Sequence, residues 1–188
     1  YWAETKRISS ARKGVLPQSS FITFTTTFSS SLLLQSQYVP GIAAAFSFKY
    51  DSSINKNPQK PHPLFEDFYA NEFNDARGTC GFNAAAAETV HKLKDRGYRV
   101  ALATNPIFPH IATEHRIRWA GLTPEDFELY TTYEGSTFCK PNVDYYREVA
   151  RSLGVRPEEC LMVGNDANED MAARELGMDV FLLTDCLI

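Results

Sequence analysis

The stretch CLMVGNDANEDMAARELG, residues 160–177, decides the fold. Four apolar or weakly polar residues lead to a glycine, after which Asn165, Asp166, Glu169 and Asp170 come within six positions. The apolar run predicts a buried strand, and the segment that follows predicts a helix ending at a glycine. Because ligands bind beyond the carboxyl ends of parallel strands, the polar cluster after this strand is a candidate site.

Strand and helix patterns alternate outward from this stretch. Strands are predicted at VALA, ELYTTYE, CLMV and VFLL, and each of the regular helices between them ends at a glycine. Strands that alternate with helices of ten or more residues indicate β-α-β units, in which helices cover both faces of a parallel sheet. The nearly continuous apolar strands agree with burial on both faces. The sequence therefore predicts an α/β fold with a parallel sheet.

The first fifty residues differ in composition from the rest of the chain. Glu4 is their only acid, and SSFITFTTTFSSSLLL is biased towards serine, threonine and phenylalanine. Three interpretations stay open: a β-prone edge segment, a disordered leader, or sequence foreign to the parent fold. We predict an atypical N-terminal segment over residues 1–52, a loop and the remnant of a helical cap over 53–83, and the core over 84–188.

Composition limits the class of function. A formal net charge of -4 argues against binding to nucleic acid, because such proteins usually carry a basic stripe. No stretch approaches the roughly 18 apolar residues that a membrane span requires. The four scattered cysteines show no metal-binding or disulfide pattern and are expected to be reduced thiols. We therefore expect a cytoplasmic protein that binds neither nucleic acid nor membranes.

Polar residues also mark two other places along the predicted sheet edge. Thr104 and Asn105 follow the strand VALA, where a hydroxyl, an amide and backbone N–H groups can hold phosphate oxygens. The alternative is a simple turn before Pro106. Lys140 precedes Pro141, which suits the first turn of the next helix. An ammonium at a helix start needs an anionic partner, although an ordinary solvated lysine is the alternative.

The acids of the opening stretch allow two interpretations. If a helix starts near Asp166, then Asp166 and Asp170 share one face and could coordinate Mg²⁺, which binds a few carboxylates with water and phosphate. Alternatively, Asp166 and Glu169 match the spacing of an N-terminal capping box, in which acids stabilise the first turn. The motif alone does not decide between a metal site and a helix cap.

The three motifs in this order resemble those of the haloacid dehalogenase (HAD) superfamily, the Mg²⁺-dependent aspartyl phosphohydrolases. ALATNP is similar to the second family motif, CKPN to the third and LMVGNDANEDMAARELGM to the fourth. The resemblance covers residues 64–188 and implies a three-layer, Rossmann-like core. It also implies roles for seven residues: catalysis by Thr104 and Lys140, phosphate binding by Thr104, Asn105 and Lys140, Mg²⁺ binding by Asp166 and Asp170, and support from Asn165 and Glu169.

The chain departs from the family pattern at two places. Asn165 stands where the fourth motif usually has an aspartate. The D-x-D motif of the first strand, whose first aspartate attacks phosphorus in the family, is absent, and SFITFTTTFSSSLLL occupies its expected place. The explanations are a stretch missing from the chain, a truncated or frame-shifted start, or a catalytically inactive relative. We favour an aberrant start joined to a normal core.

These observations lead to one expected function and two alternatives. We expect a Mg²⁺-dependent phosphatase of a small phosphorylated metabolite, impaired because the nucleophile is missing. The first alternative is a non-catalytic binding protein that retains a phosphate or metal pocket or pairs with a partner through its aromatic-rich N-terminus. A sheet without its central first strand would expose unpaired edges, which favours self-association. The second is a dehalogenase of haloacids, which the clustered acids disfavour because that chemistry requires no metal.

Overall fold

The computed structural model describes residues 21–24, 63–185 and 187 of the 188-residue chain. Five strands form one sheet in the order β3-β2-β1-β4-β5, and all four neighbouring pairs are parallel. The strands are β1 (Phe21–Phe24), β2 (Arg99–Leu102), β3 (Leu129–Tyr130), β4 (Cys160–Gly164) and β5 (Asp179–Leu182). The predicted parallel α/β sheet is confirmed.

The described α-helices are α1 (Pro63–Ala70), α2 (Ala84–Asp95), α3 (His110–Trp119) and α4 (Val143–Leu153). Short 3₁₀ helices cover Glu72–Thr79, Pro124–Asp126, Pro157–Glu159 and Met171–Leu176. Asn83 starts α2 and Asn142 starts α4, each by accepting a hydrogen bond from a backbone N–H two residues further on. Within the described residues, no helix combines the length and the apolar character needed to cross a membrane.

Helices lie on both faces of the sheet, as the alternation along β2 shows. Val100 and Leu102 pack in one cluster with Val90 of α2 and Ile117 of α3. Ala101 and Ala103 pack in a second cluster with α4 and the 3₁₀ helix Met171–Leu176. Successive side chains of a strand point to opposite faces, so these two clusters are the two sides of a three-layer core.

Strand β1 lies in the middle of the sheet, between β2 and β4. Phe24 is paired with Leu102 on one side and with Val163 on the other. The predicted boundary at residue 52 is therefore wrong for Phe21–Phe24, because these residues belong to the core sheet. The premise of a missing central strand, on which self-association rested, is also wrong. The other predicted structure of residues 1–20 and 25–62 lies outside the described residues.

The segment predicted as a cap remnant packs on helix α3. Phe73 stacks on Trp119 with ring centroids 5.2 Å apart, and it also contacts Phe108. Phe68 and Tyr69 of α1 complete this aromatic cluster. Burial of several aromatic rings fixes α1 and the following 3₁₀ helix against the core. That this segment once formed a cap stays a prediction.

Candidate functional site

The loops after β2 and β4 meet at the carboxyl edge of the sheet. Their strands flank β1, so the parallel order brings both carboxyl ends to the same edge. The side-chain amide of Asn105 donates to Glu169 Oε1 over 3.0 Å, which joins the two loops directly. Asn105 Oδ1 is buried and accepts no hydrogen bond within the part of the chain that the structure describes. The second and fourth motifs therefore lie side by side.

Lys140 and Asp170 form a buried ion pair at this edge. Lys140 Nζ lies 2.6 Å from Asp170 Oδ1, and both side chains are 1% exposed. Burial lowers the pKa of the Lys140 ammonium, and the negative charge of Asp170 opposes that shift. The third motif thus contacts the fourth, and the lysine has the anionic partner that its position called for. An ordinary solvated lysine, the alternative interpretation, is wrong for Lys140.

The second oxygen of Asp170 organises the backbone after β4. Asp170 Oδ2 accepts hydrogen bonds from the backbone N–H groups of Asn165 and Asp166, each at 3.0 Å. This requires the carboxylate to lie directly against Gly164. A Cβ atom built on Gly164 would come within 2.1 Å of Asp170 Oδ2 and 2.5 Å of its Cβ atom. The glycine of the fourth motif is therefore needed for space.

Replacing Gly164 with alanine is expected to destabilise the protein by about 3 kcal/mol, since the buried carboxylate cannot move without losing Lys140. The measurement is the urea midpoint of unfolding. Gly81→Ala serves as the control, because no atom lies within 4 Å of a Cβ atom added there. That change is expected to alter stability by no more than about 0.5 kcal/mol. Equal midpoints for the two variants would contradict the close approach of Asp170.

The helix expected to start near Asp166 starts later and is a 3₁₀ helix, Met171–Leu176. Asp166 Oδ1 accepts from the backbone N–H groups of Asn168 and Glu169, both at 2.8 Å, and this favours a turn over a regular helix. One half of the predicted capping box is therefore formed. The other half is not, because the Glu169 carboxylate binds Asn105 instead.

Thr104 is held at the edge through its backbone. Its carbonyl oxygen accepts hydrogen bonds from Tyr145 Oη at 2.6 Å and from Thr131 Oγ1 at 2.8 Å. Among the described residues, the one hydrogen-bond contact of its own hydroxyl is with the carbonyl oxygen of Asn105 at 3.4 Å. A buried hydroxyl with so weak a contact keeps its capacity to donate to a ligand.

The segment that leads to Lys140 is tied to two helices. The Glu134 carboxylate accepts from the backbone N–H of His110 at the start of α3, and the Glu148 carboxylate of α4 accepts from the backbone N–H of Thr137. Pro141 was expected in the first turn of the next helix, but α4 begins at Val143. The reason is that Asn142 caps α4 by accepting from the backbone N–H of Asp144.

The acids of the fourth motif carry more negative charge than Lys140 balances. Burial raises the pKa of the Glu169 carboxyl, and the negative charge of Asp166 raises it further. A cation beside these carboxylates would reverse that shift. Across the side chains that the structure describes, no group of three or more His, Cys, Asp or Glu residues is arranged to hold a metal ion by itself.

Three residues that shape the site were not predicted from the sequence: Thr131, Tyr145 and Tyr146. Tyr145 and Tyr146 are nearly fully buried at the start of α4, and the Tyr146 hydroxyl donates to the backbone carbonyl of Glu169. The helical spacing of YYREVARSL indicates that both tyrosines face the core. Spacing carries no signal for where a phenol hydroxyl finds its partner.

Proteins with related sequences are named as phosphatases. YhcW of Bacillus subtilis (strain 168), provisionally named a phosphatase, is 29% identical over 144 residues, which are 74% of this chain and 62% of that protein. Glyceraldehyde 3-phosphate phosphatase of Methanothermobacter thermautotrophicus is 33% identical over 96 residues, which are 50% of this chain and 41% of that protein. The chain thus spans less than two thirds of the length of these relatives.

Solved structures share the fold. A HAD family enzyme of Bacteroides thetaiotaomicron, crystallised with magnesium and inorganic phosphate, matches with a TM-score of 0.60 and 14% identity over 87% of this chain and 93% of that chain. CbbY of Rhodobacter sphaeroides in complex with phosphate matches with a TM-score of 0.60 and 20% identity over 86% and 84%. At these identities the likeness shows the fold alone, which is the Rossmann-like HAD core.

The family model for haloacid dehalogenase-like hydrolases matches residues 82–177, just over half of the chain. This range contains Thr104, Lys140 and Asp170, the central residues of the three motifs. The resemblance that rested on the order of those motifs is therefore confirmed, and the chain belongs to the haloacid dehalogenase-like hydrolases.

Proposed function

We propose that this sheet edge binds the phosphate group of a small phosphorylated metabolite and that the fold is that of a phosphatase. The observation that carries the proposal is the buried Lys140–Asp170 pair beside the joined loops of the second and fourth motifs. Thr104 and Asn105 would donate hydrogen bonds to the phosphate oxygens, and Lys140 would balance their charge. The phosphatase names of related proteins support the same class of substrate.

Magnesium is the proposed cofactor, because carboxylate oxygens with excess negative charge suit a hard cation. Within the described residues only Oδ1 of Asp166 accepts hydrogen bonds, so its Oδ2 is available to a cation. Both oxygens of Asp170 are engaged by Lys140 and by backbone N–H groups. Of the two aspartates predicted to bind the metal, Asp166 is therefore the better placed. A bound Mg²⁺ would neutralise part of the phosphate charge.

The chain lacks the aspartate that attacks phosphorus in the family. No Asp in the sequence has a second Asp two positions further on. The residues that directly follow β1 in the sequence are Thr25, Thr26 and Thr27, which carry uncharged hydroxyls. We therefore propose that the chain binds phosphate and turns over phosphate esters little or not at all. The cytoplasmic location and the absence of nucleic-acid partners stay predictions.

Binding of inorganic phosphate tests the proposed site without requiring turnover. We expect calorimetric titration to show binding in the presence of Mg²⁺ and weaker binding after chelation, since the cation offsets the acids. Thr104→Val is expected to weaken phosphate binding at least about tenfold, because a hydrogen bond to a charged group is lost while the side-chain volume is kept.

The matched control for this test is Thr113→Val. Thr113 is a buried threonine of helix α3 whose hydroxyl has no hydrogen-bond partner among the described residues. Its replacement by valine is expected to leave phosphate affinity unchanged. Phosphate binding that is absent, or equally weakened by both substitutions, would overturn the proposed site.

A non-catalytic binding protein is the second candidate function, and the missing D-x-D motif is the observation that favours it. Such a protein would bind phosphate through the same residues without hydrolysing an ester. The two candidates predict different results when aspartate is introduced after β1. An impaired phosphatase would gain turnover of a phosphate ester, and a binding protein would not. A dehalogenase finds no support in the acid cluster of the fourth motif, because that reaction requires no cation.

A further inference from the structure

Two consecutive tyrosines of helix α4 reach the two loops that build the site. The hydroxyl of Tyr145 donates to the carbonyl of Thr104 over 2.6 Å, in the loop after β2. The hydroxyl of Tyr146 donates to the carbonyl of Glu169, in the loop after β4. Both side chains are at most 1% exposed, so neither hydroxyl can exchange its partner for bulk water. One turn of helix therefore holds the backbone on both sides of the site.

The same two rings flank the ammonium group of Lys140. Lys140 Nζ lies 5.8 Å from the centroid of the Tyr145 ring and 5.9 Å from that of the Tyr146 ring. The rings pack edge to face with centroids 5.0 Å apart. A cation within about 6 Å of an aromatic ring is attracted when it lies over the ring face. The lysine of the third motif is thus located by its aromatic surroundings as well as by Asp170.

A purely space-filling role does not account for the two hydroxyl groups. Phenylalanine would fill nearly the same volume without bringing a polar atom into the core. Burial raises the pKa of both phenols, so both remain protonated donors at neutral pH. Each donor points to a loop that carries residues of the site, rather than to its own helix. The pair therefore couples the two loops to Lys140.

We propose that Tyr145 and Tyr146 are positioning residues, which fix the loops after β2 and β4 relative to Lys140 for phosphate binding. This inference rests on the proposed function of the site. Neither tyrosine contacts the phosphate in this proposal. Each acts through a backbone carbonyl, Tyr145 on Thr104 and Tyr146 on Glu169.

Hydrogen exchange read by mass spectrometry tests the two contacts separately in the full chain. Tyr145→Phe is expected to speed exchange at least about threefold in peptides covering residues 104–108, and Tyr146→Phe in those covering 165–171. Each variant should leave the exchange rates of the other loop and of strand β4 unchanged. Tyr133→Phe, which alters a largely exposed side chain, is the control and should not change the exchange rate of either loop. Unchanged exchange, or a uniform increase that includes β4, would overturn the inference.

Phosphate titration of the same variants separates the inference from the proposed function. We expect each tyrosine variant to bind inorganic phosphate at least about threefold more weakly than the unaltered chain, because a loosened loop must be ordered again when phosphate binds. Loop-specific exchange with unchanged phosphate affinity would overturn the positioning role and leave the proposed function standing. Absence of phosphate binding by the unaltered chain would overturn the proposed function, and the positioning role with it.

Discussion

Replacing both Thr25 and Thr27 with aspartate is expected to raise hydrolysis of p-nitrophenyl phosphate at least about 100-fold above that of the unaltered chain. Strand β1 ends at Phe24, paired with Leu102 and Val163, so its carboxyl end lies between those of β2 and β4. In the sequence Thr25 comes next, and Thr27 follows two positions later. These two threonines therefore have the spacing of the D-x-D motif directly after the first strand.

The expected gain follows from the chemistry that aspartate adds. A carboxylate at position 25 would attack phosphorus and form an acyl phosphate, while the carboxyl group at position 27 would protonate the departing alcohol and later activate water. A neutral threonine hydroxyl is a much weaker nucleophile than a carboxylate unless a base activates it. Within the proposed site, Lys140 already forms a buried ion pair with Asp170 of the fourth motif.

The controls separate a restored motif from added charge. Thr26→Asp adds one carboxylate between the two positions and is expected to give no gain. Chelation of Mg²⁺ should remove the activity of the Thr25→Asp/Thr27→Asp variant. A variant that binds inorganic phosphate and still shows no gain, or an equal gain from Thr26→Asp, would contradict the assignment of this threonine pair.

Most of the core could be predicted from the sequence because its signals are local. Strands β2, β4 and β5 are short apolar runs, and glycines mark the ends of the helices between them. Parallel order then brings the polar residues that follow these strands to one edge. This order predicts Thr104, Lys140 and Asp170 at one edge of the sheet, where Lys140 and Asp170 form an ion pair.

The features that were missed depend on long-range contacts. Strand β1 is only four residues long and lies in an unusual serine- and threonine-rich segment, so its pairing with β2 and β4 left no clear local signal. The segment after Asp166 has helical composition, yet the side chains of Asp166 and Asp170 bind backbone N–H groups and delay the helix. Local propensity cannot predict the ion pair between Asp170 and Lys140, which are thirty residues apart in the sequence.

Substitution of Asp170 by asparagine is expected to destabilise the fold by about 3 to 5 kcal/mol, because a buried ammonium then loses its charged partner. Lys140 and Asp170 are each 1% exposed, so water cannot replace the missing carboxylate. Lys140→Met is expected to cost less, since two backbone N–H groups still stabilise the Asp170 carboxylate. In the double variant neither buried charge is present, so its loss of unfolding free energy should be smaller than the sum of the losses in the two single variants.

The pH dependence of the Asp170→Asn variant provides a second measurement. Burial lowers the pKa of Lys140 below its ordinary value of 10.5, and removal of the Asp170 charge takes away the main opposing effect. The unfolded chain then binds more protons than the folded chain between the lowered pKa and 10.5, so the free energy of unfolding rises with pH in that interval. Urea denaturation over this range measures the rise.

Glu88→Gln, which breaks an exposed ion pair with Lys92, should leave the midpoint unchanged. If Asp170→Asn lowered the free energy of unfolding no more than this control, the buried ion pair would not be needed for the stability of the site.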